Sequence, residues 1–412
     1  MESLKTLKFL KDALIISDWW LILEIAVLGG YGAMAQVIVR DLLESPKVEK
    51  VAICGRSLSK AQSFANELGD ARATPVELDL TDKDSISGAI RNFDLVINSS
   101  WFEYNLKVMK TAIAAGVSYV DLGGLYHMTI EQLKLDREAK KAGVTCLLGM
   151  GSTPGTMNVM AAHAASKLDS IEKIRLRSGY SIVSGKTCNI QMPYSFRTVL
   201  DEFTKPAPIL RDGKIILVPP LSVKEKIALP PPIGEVEGYL TIHSELATLP
   251  KNLAKGVKEM DFAVSYDSEF TNILSVISKL GLAEKKEIAI GDKQVSPFDV
   301  VSTLIDSFPK ETVLDVDVQR VEIEGKKANE RIQLQCDAVT FPHKRWNIGG
   351  GSVDTGIPPS IAAQWIVNGK IDLKGVMPPE VCIDPMPFFK ELNLRDRGIK
   401  VYEHFESYKS LF

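Results

Sequence analysis

The sequence predicts an α/β protein, a Rossmann-type doubly wound parallel sheet joined to an α+β domain with a mixed or antiparallel sheet. Three features carry that reading. Short apolar, β-branched runs alternate with amphipathic helical stretches from residue 22 to about residue 148. A glycine turn, Gly30-Tyr31-Gly32-Ala33-Met34-Ala35, joins the first run to the first helical stretch. After Gly151 the alternation gives way to longer strand segments separated by turn signals.

In the first region the strand expectations are residues 23–28, 51–54, 75–78, 95–98, 119–122 and 144–148. Several are apolar at every position, as strands covered on both faces must be. Between them, residues 33–43 place Met34, Val37, Ile38 and Leu42 on one helical face, and residues 105–115 repeat the pattern. Beyond Gly151 a helix over 157–168 precedes strands at 171–180, 214–219, 260–266, 313–323 and 331–339. Turn signals at Asp212-Gly213 and Glu324-Gly325 argue for antiparallel or mixed pairing. A helix over 360–368 closes at Gly369. The chain therefore divides into an N-terminal extension (1–21), a dinucleotide-binding domain (22–156), a substrate and dimerisation domain (157–351) and a helical tail (352–412) that returns to the first domain. The extension is either a short extra helix or the product of an upstream start codon.

Composition narrows the function. A chain of 412 residues with 49 basic and 52 acidic side chains, net charge -3, gives no electrostatic reason for a nucleic-acid or anionic-membrane partner. Its expected partners are a small-molecule substrate and a second copy of itself, as a homodimer. The five cysteines (Cys54, Cys146, Cys188, Cys336, Cys382) are scattered and form no Cys-x-x-Cys pair, so no metal site is expected and a reducing cytoplasm fits. The apolar stretch 13–28 is broken by Asp18 and Glu24 and does not read as a membrane span.

The glycine turn suits a pyrophosphate because the helix behind it offers free N–H groups and a favourable dipole. Gly30 permits the turn, Gly32 lets the backbone approach the anion, and Ala35 lets the helix lie close to the strand. Tyr31, Ala33 and Met34 complete the cradle. At the second strand an acidic residue would favour NAD(H), but here the strand ends in Gly55-Arg56-Ser57. Arg56, with Ser57 and Lys60 behind it, suits the 2′-phosphate of NADP(H). The alternative is that Arg56 stacks on adenine or lies in solvent, which leaves NAD(H) possible. Asp79, after the third strand, either reaches the adenine region or caps a helix.

Ligands of open parallel sheets lie beyond the carboxyl ends of the strands. That rule selects Asn98-Ser99-Ser100-Trp101, Asp121-Leu122-Gly123-Gly124 and the loop from Gly149 to Gly155, including Gly151, with Asn158 a turn further on.

Residues 25–35 (IAVLGGYGAMA), 93–100 (FDLVINSS), 119–124 (YVDLGG), 149–161 (GMGSTPGTMNVMA), 200–207 (LDEFTKPA), 243–250 (HSELATLP) and 356–375 resemble the saccharopine dehydrogenase superfamily, and within it the lysine 6-dehydrogenases. The resemblance implies hydride transfer between nicotinamide and a carbon bearing an amine, on an amino acid or amino-acid conjugate. Gly55-Arg56-Ser57 departs from the acidic residue of the NAD-dependent lysine dehydrogenases. Such chemistry needs an acid/base group near nicotinamide. His243 is the leading candidate, with Glu245 to orient it. Asp121 is expected at the substrate ammonium, Tyr194 as a hydroxyl donor, Arg197 as a carboxylate clamp, and Asn158 and Gly123 in the substrate site. The alternatives are an NAD-dependent lysine 6-dehydrogenase, a non-catalytic dinucleotide sensor, and a redox enzyme for carbonyls or polyamines on the same scaffold.

Overall fold

In the computed structural model, residues 23–184, 194–266, 268–308, 312–395 and 398–408 are described; the expected extension over 1–21 lies outside them. The strands are β1 (Leu23–Leu28), β2 (Val48–Gly55), β3 (Ala73–Glu77), β4 (Leu95–Asn98), β5 (Ser118–Asp121), β6 (Thr145–Leu147), β7 (Ser170–Ser184), β8 (Ala207–Arg211) and β9 (Lys214–Val218). They continue with β10 (Lys224–Leu229), β11 (Gly234–Leu240), β12 (Glu259–Ser265), β13 (Ile288–Ile290), β14 (Lys293–Val295), β15 (Leu314–Lys327), β16 (Glu330–Thr340), β17 (Gly375–Met377) and β18 (Ile399–Tyr408). The first sheet is parallel, seven-stranded, in the order β17-β6-β5-β4-β1-β2-β3. The second is mixed and nine-stranded, running β10-β11-β12-β7-β15-β16-β18, with β8 on β12 and β9 on β8.

The apolar runs of the first domain follow from this sheet. Ile25 and Val27 point into one buried cluster while Ala26 and Leu28 point into another, so no position of β1 is free to be polar except Glu24 near its start. The strand order reverses between β1 and β4, which opens a crevice beyond their carboxyl ends. The loops after β1, β4, β5 and β6 all face that end.

The tail divides between the two domains. Its helix Gly350–Val367 packs on the helix Ala33–Glu44, where a Cβ on Gly356 would lie 2.5 Å from Val37 Cβ. β17 extends the first sheet beside β6. The tail was expected to be helical and to return to the first domain, but β18 instead pairs along its whole length with β16 in the second sheet. Asp41 ties the tail down: buried, it accepts Ser360 Oγ at 2.6 Å and Arg395 Nε at 2.8 Å. Asp41→Ala strands both donors and is expected to cost about 2 kcal/mol or more in urea unfolding. A loss within about 0.5 kcal/mol, the level of an ordinary surface substitution, would mean that these bonds contribute nothing net.

Among the described residues no helix is long and apolar enough to cross a membrane.

Candidate active site

The glycine turn folds as a strand-to-helix cradle. Gly29 takes the left-handed backbone (φ 72°) that turns the chain, a position the motif spacing did not single out. A Cβ on Gly30 would lie 2.8 Å from the Val27 carbonyl and 2.9 Å from Ile53 Cα, so Gly30 is set by close packing between β1 and β2. The exposed Gly32 caps the helix Ala33–Glu44 without any side-chain acceptor and with no acidic residue in the first turn. Ala33 is exposed, Met34 half-buried and Ala35 buried against the strand. Bare N–H groups at a helix start, bordered by glycine and alanine, fit the pyrophosphate of a dinucleotide.

Tyr31 closes one side of this cradle. Its ring lies over Gly55, where a Cβ would come within 2.4 Å of Cε1, and its hydroxyl accepts the Ser57 N–H at 3.1 Å. Arg56 next to it is exposed. Ser57, expected to serve a phosphate, caps its own helix, Leu58–Leu68, accepting the Lys60 N–H at 3.3 Å. Asp79 is drawn into a local turn, taking the Thr81 N–H and hydroxyl, both at 2.8 Å. Those bonds hold its carboxyl below the usual range, aided by the charge of Arg56.

Beyond β4, Asn98 is buried and donates to Asn105 Oδ1 at 2.9 Å, while its own Oδ1 accepts Ser100 Oγ at 2.6 Å. Ser99 Oγ donates to the Leu28 carbonyl at 2.7 Å. These side chains lock the loop against the glycine turn, and Ser100 N lies 3.2 Å from where a Cβ on Gly29 would stand.

Asp121 corrects an expectation. It is fully buried, and both carboxylate oxygens are occupied: Oδ1 takes the N–H of Gly123 (2.9 Å) and Gly149 (2.7 Å), Oδ2 takes Tyr119 Oη (2.9 Å) and Gln132 Nε2 (2.7 Å). Burial raises its pKa against those bonds. A carboxylate with four donors has no site left for a substrate ammonium; Asp121 instead holds the loops after β5 and β6 together. Gly123, expected to touch substrate, packs on Pro154, whose Cγ would lie 2.7 Å from an added Cβ. Asn158 is likewise structural. Its Oδ1 accepts the Gly155 N–H at 3.2 Å and its Nδ2 donates to Glu380 at 2.9 Å.

The loop from Gly149 to Gly155 folds back on itself, with Gly151 N–H on the Pro154 carbonyl at 2.8 Å. Gly155 has φ 130°, and a Cβ there would lie 1.9 Å from the Gly151 oxygen, so no other residue fits without rebuilding the turn. The loop's Thr153 hydroxyl donates to Glu245.

Glu245 belongs to a buried cluster of titratable groups beside this loop. His243 Nδ1 and Glu245 Oε2 are 2.5 Å apart, and the imidazole stacks on Phe262 with ring centres 4.0 Å apart. Burial works against a charge on His243, but Glu245 and then Glu202 overcome it and raise its pKa. Glu202 is buried and pushed up to about 7, chiefly by burial and despite the opposing influence of His243. Tyr194 donates to Glu202 and lies 2.5 Å from the Tyr266 hydroxyl. The geometry thus gathers His243, Glu245 and Tyr194, and adds Glu202 and Tyr266, which the sequence reading passed over. Val199, Glu202 and Phe203 share one face of the helix Phe196–Thr204, so an acid on a buried face was the available signal.

Glu202 has a consequence for stability. Its folded pKa is raised, so the folded chain holds this proton more tightly than the unfolded chain does. The contribution is complete below pH 4.5, the ordinary value, and is lost as pH rises through about 7. Glu202→Gln should therefore flatten part of the fall in urea-unfolding stability over that window. An unchanged slope would show that Glu202 ionises normally.

Arg197 lies outside the cluster. It pairs with Asp299 at 2.6 Å and stands over the rings of Trp101 and Phe298, 5.4 Å from each centre. A substrate carboxylate reaching it would meet a guanidinium already shared with Asp299. Among the described residues no group of three His, Cys, Asp or Glu is placed to hold a metal ion.

Comparison with known proteins places two family models on the chain: the saccharopine dehydrogenase NADP binding domain over residues 25–147 and the saccharopine dehydrogenase C-terminal domain over residues 151–399. The chain is 24% identical over 384 residues to carboxyaminopropylagmatine dehydrogenase of Synechocystis sp., covering 88% of this chain and 94% of that protein. It is 25% identical over 373 residues to carboxynorspermidine synthase of Vibrio alginolyticus, covering 84% and 86%. Its fold is similar to apo saccharopine dehydrogenase (L-Glu forming) from Saccharomyces cerevisiae, with TM-score 0.73 and 17% identity over 93% of this chain and 100% of that one.

Proposed function

The chain belongs to the saccharopine dehydrogenase family, and we propose that it is an NADP(H)-preferring oxidoreductase that reduces the imine between an amine and a carbonyl-bearing amino acid to a secondary amine. Amine and carbonyl condense with loss of water; the imine carbon then takes a hydride and its nitrogen a proton. The bound nicotinamide supplies the hydride. The observation that carries the reading is the buried His243, Glu245 and Glu202 cluster beside Thr153, a residue of the loop that follows β6 of the dinucleotide-binding domain.

Each side chain has a part in that chemistry. Glu245, fixed by Thr153, holds His243 through Nδ1 and leaves Nε2 for the reacting nitrogen. A histidine with a raised pKa can take the proton from an incoming ammonium and return one to the product nitrogen. Glu202, neutral up to about pH 7, holds a further proton, with Tyr194 and Tyr266 extending its hydrogen-bond path. Arg56, exposed at the end of β2, supports the phosphorylated cofactor because no carboxylate stands there to repel it. Two relatives are named for conjugates of a carboxylated chain with a polyamine or agmatine, which favours a secondary-amine product over oxidation of free lysine.

The test follows nicotinamide absorbance with NADPH and NADH while pairing amino-acid aldehydes with diamines, agmatine, lysine and glutamate. Turnover should require both halves and favour NADPH. Oxidation of free lysine with NAD⁺ as the sole activity would instead make the chain a lysine 6-dehydrogenase. Tight cofactor binding with no turnover in either direction would support the dinucleotide sensor.

A further inference from the structure

A second buried polar group lies on the other side of the loop from Gly149 to Gly155. On β15, Asp315, Asp317 and Gln319 alternate with Val316 and Val318, and the valines are buried in a separate apolar cluster. The polar face therefore meets the start of the helix Gly350–Val367, which contributes Asp354. Asp315 accepts the Gly351 N–H at 3.0 Å, and a Cβ on Gly349 would lie 1.9 Å from its Oδ1, so the glycine turn wraps this carboxylate closely. Asp317 and Asp354 are within hydrogen-bonding reach of each other, and burial is the first cause of the raised pKa of each.

These carboxylates have few donors: the Gly351 N–H for Asp315, Gln319 Nε2 for Asp317 and the Thr355 hydroxyl, at 3.2 Å, for Asp354 Oδ1. Among the described residues no lysine or arginine pairs with Asp315, Asp317 or Asp354. Asp354, 2% exposed, has no partner for Oδ2. Gln319, also 2% exposed, turns its Nε2 onto Asp317 Oδ1 at 2.5 Å and leaves Oε1 unpartnered. Thr340, 1% exposed and directly opposite Asp317 in the register of β15 and β16, leaves Oγ1 unpartnered. Buried polar atoms without partners cost about 1–3 kcal/mol each, so two acceptors and a hydroxyl left unpartnered around one carboxyl pair mark a place where a hydrogen-bonding occupant is missing. Since no three groups here are placed for a metal, the fitting occupant is a cation that carries its own N–H donors.

The group is contiguous with the candidate active site. Thr355, next to Asp354, lies 3.2 Å from Ser152 Oγ, and the following residue, Thr153, donates to Glu245. From the other direction, Asp317 is close enough to oppose ionisation of Tyr266, whose hydroxyl lies 2.5 Å from that of Tyr194.

We propose that Asp315, Asp317 and Asp354, with Gln319 and Thr340, receive the distal cationic group, a primary ammonium or a guanidinium, of the amine half of the substrate. This rests on the proposed reaction: one nitrogen of the amine meets His243 while the far end is held at the acidic pocket. It would select diamines and guanidino-amines over simple alkylamines.

Calorimetric binding to the NADPH-saturated protein tests this without requiring turnover. The probes are 1,3-diaminopropane, agmatine and butylamine, the last lacking a distal charge. Wild type should bind 1,3-diaminopropane or agmatine about tenfold or more tightly than butylamine, and the better of the two identifies the pocket as one for ammonium or for guanidinium. Asp317→Asn should abolish that advantage and leave butylamine unchanged. Asp354→Asn is the second variant, with melting temperature and NADPH affinity as controls for folding. Equal binding of all three amines by wild type, or a preference that survives in both folded variants, would overturn the proposal. Selective binding without NADPH consumption would uphold the pocket and count against the catalytic reading alone.

Discussion

His243→Asn is expected to lower kcat for the reductive reaction by about 10²- to 10⁴-fold, the usual worth of a positioned acid/base group, with NADPH affinity essentially unchanged. Asparagine keeps the polarity and much of the volume but cannot cycle a proton. The His243 ring is stacked on Phe262 and bonded to Glu245, so the loss should fall on the chemical step rather than on cofactor binding. Glu245→Gln removes the charge that orients and supports the imidazole and should cost less, about 10- to 100-fold. It should also lower the pH at which the His243-dependent limb of the rate profile appears, because Glu245 raises the His243 pKa. A kcat for His243→Asn near wild type would remove His243 from the chemistry.

The second large effect is on cofactor choice. Arg56→Ala should weaken NADPH by about 10- to 100-fold, the value of a charge-assisted pair with the 2′-phosphate, and leave NADH close to its starting affinity. Arg56 is the charged group at this strand end, so it should carry more of this discrimination than the neutral Ser57 hydroxyl. Equal loss for both cofactors, measured by fluorescence titration, would mean that Arg56 contacts adenine or ribose instead of the phosphate.

The first domain was legible because its physics is local. β1 ends where the apolar stretch does, at Leu28, and is apolar apart from Glu24, as a strand covered on both faces requires. A helical tail was anticipated from Ser352 with a bounded helix only over 360–368, and three glycines and the pair Pro358-Pro359 argue against a helix over 350–367 by propensity. Tertiary packing overrides that preference: a Cβ on Gly350 would lie 2.4 Å from the Thr340 oxygen, so glycine is what lets the helix start against β16. β17 has three residues and no periodicity to read. In the candidate site, the pairing of His243 with Glu245 was readable from their spacing. Asp121 was misjudged because a strand-end aspartate looks the same in sequence whether it faces a ligand or four protein donors. Asp315 and Asp317 alternate with valines like any half-exposed strand, and only the fold shows a helix covering their polar face.

In the proposed reaction hydride goes to a carbon bonded to nitrogen. The direct measurement is mass spectrometry of the product formed from NADPH carrying deuterium at the transferred C4 position, with an amino-acid aldehyde and an amine both present. The expected product is a secondary amine joining the two halves, with one deuterium on the carbon attached to nitrogen. Deuterium found instead in the alcohol of the reduced aldehyde, with the amine unincorporated, would contradict it.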